Sequence, residues 1–163
     1  MKSLFLLPAF FICQACLAQK QVAKDSIDFY LNKIDNHAVS ISNNYNLAAV
    51  KMNNDAKILY DNADEYIIDN LMALLENENK ALACHVLLTK LLEPDSKSFY
   101  YTTEDLTDSI LVSYKYNGLV WKAVFDKISL TNKIRIDSLE MKKMKTYWLS
   151  KKESLLNKGH KWH

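Results

Sequence analysis

The side chains considered first for reactive chemistry are those of Cys84, His85, His160 and His163. Cys84 and His85 are neighbours in an apolar helical run, where adjacent side chains diverge by about 100°, so a nucleophilic cysteine–histidine pair is not expected. We predict instead a packed core histidine beside a buried thiol. His160 and His163 supply only two metal ligands, fewer than a zinc site requires. These residues therefore predict neither a metal site nor a catalytic group.

A group of carboxylates follows the aromatic stretch 99–101. Glu104, Asp105 and Asp108 could serve acid–base catalysis or calcium binding, but they lack EF-hand spacing and its turn glycine. We predict that Thr102 or Thr103 caps a short acidic helical turn here. The sequence has no GxSxG, Walker, HExxH or dinucleotide-binding motif, and one glycine precedes residue 150. These features favour a non-enzymatic protein without a cofactor.

The distribution of charge indicates a different kind of site. Residues 19–126 carry 10 lysines and 16 acidic residues, whereas residues 127–163 carry 10 basic and 3 acidic residues. Such asymmetry can indicate an anionic partner or surface. It can equally reflect attraction between two halves of one fold, together with a solvated basic helix. The candidate binding residues are the lysines of the last predicted helix: Lys142, Lys143, Lys145, Lys151 and Lys152.

Residues 1–18 have the pattern of a secretory signal peptide. A short basic start precedes the apolar run 4–15 (LFLLPAFFICQA), which is too short to span a bilayer as a helix. Small residues at Cys16 and Ala18 predict cleavage before Gln19 and a periplasmic or secreted protein. Lipidation of Cys16 is the alternative, although the aliphatic residue of a lipobox is missing before it. Cleavage would leave Cys84 as the only cysteine and exclude an internal disulfide.

Apolar residues recur at helical spacing in several segments. The predicted helices cover about 21–36, 46–60, 64–76, 79–93 and 137–156. The fourth is apolar almost all round, which is typical of a buried central helix, and Pro94 ends it. The apolar stripe of the last helix consists of Met141, Met144, Trp148 and Leu155.

Part of this helical region resembles a HEAT-type helical pair. The resemblance covers about 46–93 and consists of an Ile/Leu-rich helix, a tight polar turn and the segment NKALACHVLLTKLLEP. HEAT repeats generally form interaction surfaces, so the resemblance implies binding more than catalysis. No further repeat with a 35–45 residue period follows, whereas a solenoid requires at least about three.

The clearest local structure is a β-hairpin over Ser109–Phe125. Asn117-Gly118 is a favoured type I′ turn because both central residues need a positive φ, and aromatic and β-branched residues flank it. A two-residue turn pairs Tyr116 with Leu119 and places eight alternating side chains on one face. A lone hairpin is marginally stable in water, so we expect a third strand within 127–136.

Together these patterns predict an α+β fold that is mostly helical, with a HEAT-like helical pair, a small antiparallel hairpin of two or three strands and a closing C-terminal helix. Residues 19–163 form one domain with a frayed tail from about 157. The predicted function is an exported, non-enzymatic protein-binding domain. A small exported hydrolase using dispersed carboxylates and tyrosines, or an adaptor that binds an anionic membrane surface through its basic helix, are the alternatives. Nucleic acid is not an expected partner, because no recognition motif occurs.

Overall fold

A computed structural model describes residues 24–44, 47–96 and 98–157. The predicted signal peptide and the histidines of the tail lie outside these residues. The helices are α1 (24–33), α2 (Asn54–Asp61), α3 (Glu65–Ala73), α4 (Ala81–Leu92) and α5 (Ser138–Asn157), with short 3-10 turns at Asn36–Ala38 and Leu74–Glu76. The strands are β1 (Val39–Asn44), β2 (Leu47–Met52), β3 (Phe99–Asp105), β4 (Ser109–Tyr116), β5 (Leu119–Asp126) and β6 (Asn132–Arg135).

The described chain is a mixed α+β fold, and the predicted architecture of a mostly helical domain with a HEAT-like pair and a small hairpin of two or three strands is wrong. Strands β3, β4, β5 and β6 form a four-stranded antiparallel sheet in that order, and β1 and β2 form a separate hairpin. The sequence patterns missed three strands because their side chains alternate weakly or are largely polar. Burial against the rest of the fold, which no local pattern records, decides their conformation.

The predicted hairpin is confirmed in its turn and its register. Asn117 and Gly118 have φ values of 43° and 91°, as a type I′ turn requires. Tyr116 pairs with Leu119 and Tyr114 with Trp121, so the aromatic residues share one face. The expected third strand is also present, although only residues 132–135 of the segment 127–136 pair with β5.

The predicted helix over 46–60 is wrong in its first half. Residues 47–52 form β2, and Val50 pairs with Ile41 of β1. The helix begins only after Asn53, whose side-chain oxygen accepts the N–H of Ala56 at 2.9 Å as an N-cap. Strand pairing and this cap together set the boundary. Part of the segment with the HEAT-type resemblance is therefore a strand.

The predicted acidic helical turn capped by Thr102 or Thr103 is also wrong. Residues 99–105 form β3, which pairs along its whole length with β4. Aromatic and β-branched residues at 99–103 suit a strand, and the hairpin offers an edge for them to pair with. The helix-capping tendency of threonine is weaker than this ladder of main-chain hydrogen bonds.

Helix α4 is the centre of the core, as its sequence predicted. Every residue from Ala81 to Thr89 is buried, with α2, α3 and α5 packed around the helix. The sheet covers the remaining side through Phe99, Tyr116, Leu119 and Trp121. The predicted α5 stripe is confirmed, since Met141, Met144 and Trp148 are buried and Leu155 is half-buried. Strand β1 lies beside the sheet, since its residues Val39, Ser40 and Ile41 line one cavity with residues of β4, β5 and β6.

Candidate functional site

Two of the predicted binding lysines connect α5 to acidic residues of α3 and of the 3-10 turn that follows it. Nζ of Lys152 lies 2.6 Å from Asp69 and 3.0 Å from Glu65, both on α3. Lys145 donates to Glu76 in the 3-10 turn after α3. Burial acts to lower the pKa of Lys152, but the hydrogen bonds to Asp69 and Glu65 outweigh it and raise that pKa. The hydrogen bond from Lys145 lowers the pKa of Glu76.

A third predicted lysine, Lys151, belongs to a polar junction around Glu93, the residue after α4. Oε1 of Glu93 lies 2.5 Å from Nζ of Lys151 and accepts the Tyr147 hydroxyl at 2.5 Å, while Asn117 donates to Oε2 at 2.9 Å. Burial acts to raise the pKa of Glu93, but its donors from Lys151, Tyr147 and Asn117 reverse the shift. Burial and the bond to Glu93 raise the pKa of Tyr147 to about 12. This junction holds α4, α5 and the hairpin turn together.

The remaining predicted lysines, Lys142 and Lys143, lie on the exposed side of α5. Lys143 lies 3.6 Å from Glu140 one turn earlier, an exposed contact of small energetic value. The Lys142 side chain forms no hydrogen bond or ion pair with another described residue, although its charge helps to lower the pKa of Glu76. The five lysines are thus not gathered into one patch, and four of them face carboxylates of their own chain. This arrangement matches the intramolecular alternative for the charge asymmetry.

Another set of basic side chains lies on the exposed face of the sheet. Lys122 and Arg135 are direct cross-strand neighbours, and Lys115 and Lys133 point to the same face. None of the four forms an ion pair within residues 24–157 outside the two gaps. Like charges opposite one another destabilise a sheet. This face therefore carries positive charge that the described fold leaves uncompensated.

A cleft lies on the opposite face of the sheet, between strands β4, β5 and β6 on one side and strand β1 on the other. Its inner part is a cavity of about 230 Å³ lined by the aromatic residues Tyr114, Trp121 and Phe125. The rings of Tyr114 and Trp121 stack with centroids 5.2 Å apart and planes 15° apart. Val39 and Ile41 of β1 line the other side. The strand register fixes this aromatic surface, because paired residues of β4 and β5 share a face.

The outer part of the cleft is a polar cavity of about 450 Å³. Asn36 positions one side of it: Nδ2 donates to the carbonyl of Glu78 at 2.6 Å, and Oδ1 accepts the N–H of Leu82 at 2.9 Å. All four residues of β6 line the other side, so the edge of β6 faces the cavity. Several lining side chains form no hydrogen bond within the described chain, namely those of His37, Glu78, Asn79, Asn132, Lys133 and Arg135.

Asp35, His37 and Glu78 bring two carboxylates and an imidazole to this outer cavity. Oδ1 of Asp35 accepts the backbone N–H of His37 at 2.8 Å, and no hydrogen bond joins the His37 ring to a carboxylate among the described residues. Catalytic acids and bases are normally oriented by such a bond. The described residues also contain no group of three or more His, Cys, Asp or Glu side chains placed to hold a metal ion. The arrangement suits recognition of polar groups.

Cys84 and His85 are fully buried in α4, which confirms the predicted core histidine and thiol. Nδ1 of His85 accepts the indole N–H of Trp148 at 3.0 Å, and Nε2 lies 2.9 Å from the carbonyl oxygen of Tyr116. Because an indole can only donate, the ring is neutral with its proton on Nε2. Burial lowers the pKa of His85 to about 4 and raises that of Cys84 to about 12. Both groups are structural.

The carboxylates of Glu104, Asp105 and Asp108 are exposed and do not converge. Glu104 and Asp105 are consecutive in β3 and so point to opposite faces of the sheet. Asp105 lies 2.5 Å from Nζ of Lys127, which also donates to the carbonyl of Leu106. Lys127 therefore links the β3–β4 and β5–β6 turns, and these acids form no common site.

No local pattern in the sequence indicates the cleft. Its lining residues come from three stretches, 35–41, 78–82 and 114–135, which only the tertiary fold brings together. The available signal is the predicted hairpin turn, because it places Tyr114 opposite Trp121 on one face, and part of that face lines the cleft.

Comparison with protein-family models, with curated proteins and with solved structures found no match to this chain. Among the described helices, none has the length and apolar character needed to cross a membrane. Inferences about function therefore rest on the geometry of the cleft and the surfaces around it.

Proposed function

We propose that this chain is an exported, non-enzymatic binding domain that holds an extended segment of a partner protein in the cleft. The observation that carries the proposal is the continuity of an aromatic cavity with a polar cavity that faces a strand edge. The two cavities share Asn36, His37, Asn132 and Ile134 among their lining residues. Export rests on the pattern of residues 1–18 and is part of the proposal.

The inner cavity suits a large apolar side chain of the partner. Tyr114, Trp121 and Phe125 present aromatic surface on one side, and aliphatic side chains close the other. In many protein interfaces, an anchor side chain of one protein fills a pocket lined by aromatic residues of the other. Phe125 is 36% exposed, so part of this surface is open to solvent before a ligand binds.

The outer cavity suits the main chain of the same segment. In the described sheet β6 pairs only with β5, and its other edge faces this cavity. An added strand could pair with that edge, as in peptide recognition by β-augmentation. Asn79 and Asn132 offer amide donors and acceptors.

The alternatives have less support from the described geometry. The membrane-adaptor reading depends on the lysines of α5, of which Lys145, Lys151 and Lys152 pair with carboxylates of the body. The hydrolase reading needs an oriented acid–base pair, and the cleft residues Asp35 and His37 are joined through a backbone N–H and not through the ring.

A random dodecapeptide display library tests the proposal. Selection on the wild-type chain should enrich peptides with a large apolar residue, and Phe125→Ser should weaken their binding roughly tenfold or more. Tyr100→Ser is the matched control, since Tyr100 is 67% exposed on the opposite face of the sheet. N-methylation of alternate peptide amides should also abolish binding, because it blocks strand pairing.

Circular dichroism and thermal melts should show that both variants are folded before their affinities are compared. Peptides that bind wild type and Phe125→Ser equally well, or a library that yields no specific binder, would contradict a peptide-binding cleft. Tight binding of N-methylated peptides would contradict strand pairing with β6.

A further inference from the structure

The two edges of the four-stranded sheet differ in their suitability for pairing with an identical edge. Edge strand β6 has four residues, two of which are Lys133 and Arg135. Edge strand β3 has seven residues, 99–105, and no described strand pairs with its outer edge. Short length and basic side chains are common protections against the pairing of two identical edges, and β6 has both. The edge of β6 also faces the cleft, where the proposed partner segment would lie.

Strand β3 has none of these protections. Its sequence, FYYTTED, contains no lysine and no proline, and its register with β4 is continuous from Phe99 to Asp105 without a bulge. Tyr100 and Tyr101 are 67% and 55% exposed. A long, regular and aromatic edge is a template for another strand.

The hydrogen bonds that flank β3 show which of its backbone groups point outward. The N–H of Leu106 donates to the carbonyl of Ser109, and the N–H of Asn117 donates to the carbonyl of Ser98. The even-numbered residues therefore form the hydrogen-bonded pairs with β4. Hydrogen-bonded and non-hydrogen-bonded pairs alternate in an antiparallel ladder. The N–H and C=O groups of the odd-numbered residues therefore point outward from the free edge of β3, on the side away from β4. These residues are Phe99, Tyr101, Thr103 and Asp105.

We propose that β3 pairs antiparallel with β3 of a second copy of this chain, about a two-fold axis at Thr102. This register places Phe99 opposite Asp105 and Tyr101 opposite Thr103, so outward-pointing residues face outward-pointing residues along the whole strand. About eight intermolecular backbone hydrogen bonds form. The two four-stranded sheets become one continuous sheet.

The charges of β3 favour this arrangement of two copies. Glu104 lies opposite Tyr100 and Asp105 opposite Phe99, so no carboxylate faces a carboxylate. Thr102 lies opposite itself, and threonine pairs are favourable across strands. Parallel pairing in register would instead place Glu104 and Asp105 beside the same acids of the second copy, which is destabilising. A single surface is thus complementary to itself, as a two-fold dimer requires.

Cysteine cross-linking tests the register directly. Thr102 forms a non-hydrogen-bonded pair across the axis, where Cα atoms lie about 4.5 Å apart, within the span of a disulfide. In a full chain with Cys13→Ser and Cys16→Ser, Thr102→Cys should form a covalent dimer rapidly on mild oxidation. Glu104→Cys is the matched control, on the same strand and face. It should cross-link roughly tenfold more slowly, because its two copies lie about 14 Å apart.

A second measurement does not depend on a cysteine. Sedimentation equilibrium of the wild-type chain should show a reversible monomer–dimer equilibrium, and Thr103→Pro should weaken dimerisation at least about tenfold. The N–H of Thr103 points outward, so proline removes an intermolecular donor without breaking a β3–β4 hydrogen bond. Equal cross-linking of Thr102→Cys and Glu104→Cys, or a monomeric wild-type chain up to roughly millimolar concentration, would overturn the proposal.

Discussion

The fold should lose stability between pH 7 and pH 5 through one buried imidazole. His85 is fully buried, with Trp148 donating to Nδ1 and the carbonyl of Tyr116 accepting from Nε2. Protonation would place a second N–H against the indole donor and a charge in the core. The folded chain therefore resists protonation, and burial is the first cause of the lowered pKa of about 4.

The sign and size of the effect follow from this pKa. The ordinary pKa of 6.5 applies in the unfolded chain, so between pH 6.5 and 4 the unfolded state binds one more proton than the folded state. The free energy of unfolding therefore falls as the pH falls through this range. Its limiting slope is about 1.4 kcal/mol per pH unit, and the loss between pH 7 and 5 is about 2 kcal/mol. The lowered pKa values of Glu76 and Glu93 act in the same direction at more acidic pH.

Urea unfolding at pH 7, 6 and 5 measures this loss, and His85→Gln provides the comparison. The variant should be less stable at pH 7, because glutamine fills the buried space of the imidazole ring imperfectly. Its stability should change much less between pH 7 and 5, because glutamine does not titrate. Long-range ¹H–¹⁵N correlations of the histidine ring give an independent readout. They should show a proton on Nε2 and none on Nδ1 down to pH 5.

Two results would contradict the assignment of this pH dependence to His85. Equal pH dependence of the wild type and His85→Gln would show that another group titrates on unfolding. An imidazole that titrates near pH 6.5 in the folded chain would show that His85 is not held by Trp148 and Tyr116 as described.

Three further predictions concern the contacts that hold the fold. Trp148→Ala should cost roughly 3–5 kcal/mol in urea unfolding, since the side chain is fully buried, and a loss within about 0.5 kcal/mol would mean that Trp148 is exposed. Gly118→Ala should cost about 1–2 kcal/mol because φ is +91°, and not through a clash, since the added Cβ would lie 3.6 Å from Met144. An unchanged thermal midpoint would contradict the turn geometry. Lys152→Ala should cost about 1 kcal/mol, and the cost should shrink in roughly 1 M salt, whereas a salt-independent loss would contradict the ion pairs with Glu65 and Asp69.

The sequence predicts the elements whose signals are local. Asn117-Gly118 specifies its turn almost alone, and the turn fixes the register of β4 and β5 over their whole length. The apolar circumference of α4 predicts a central helix, and the burial of its residues confirms this. In both cases one short segment contains the information that determines its structure.

The missed strands depend on partners elsewhere in the chain. Residues 47–52 have a composition compatible with a helix, and they form a strand because β1 offers an edge and Asn53 caps the helix after them. Residues 99–105 similarly depend on the exposed edge of β4. The charge asymmetry allows attraction between the two halves of the chain but does not identify the partners, and the fold alone places Lys152 beside Glu65 and Asp69. The cleft depends on the same long-range arrangement, so no local spacing could predict it.

The two proposed interactions use opposite edges of one sheet and can therefore operate together. A dimer through β3 leaves both copies of β6 at the outer edges of a sheet of eight strands. With neighbouring strands about 4.8 Å apart, the two β6 strands would lie about 34 Å from one another before the twist of the sheet is considered. A partner with two suitable segments at this spacing would bind both clefts, and its second contact would benefit from a high effective concentration. Since the cleft is complete within one copy, loss of the dimer would reduce this avidity and leave the affinity for a single peptide unchanged.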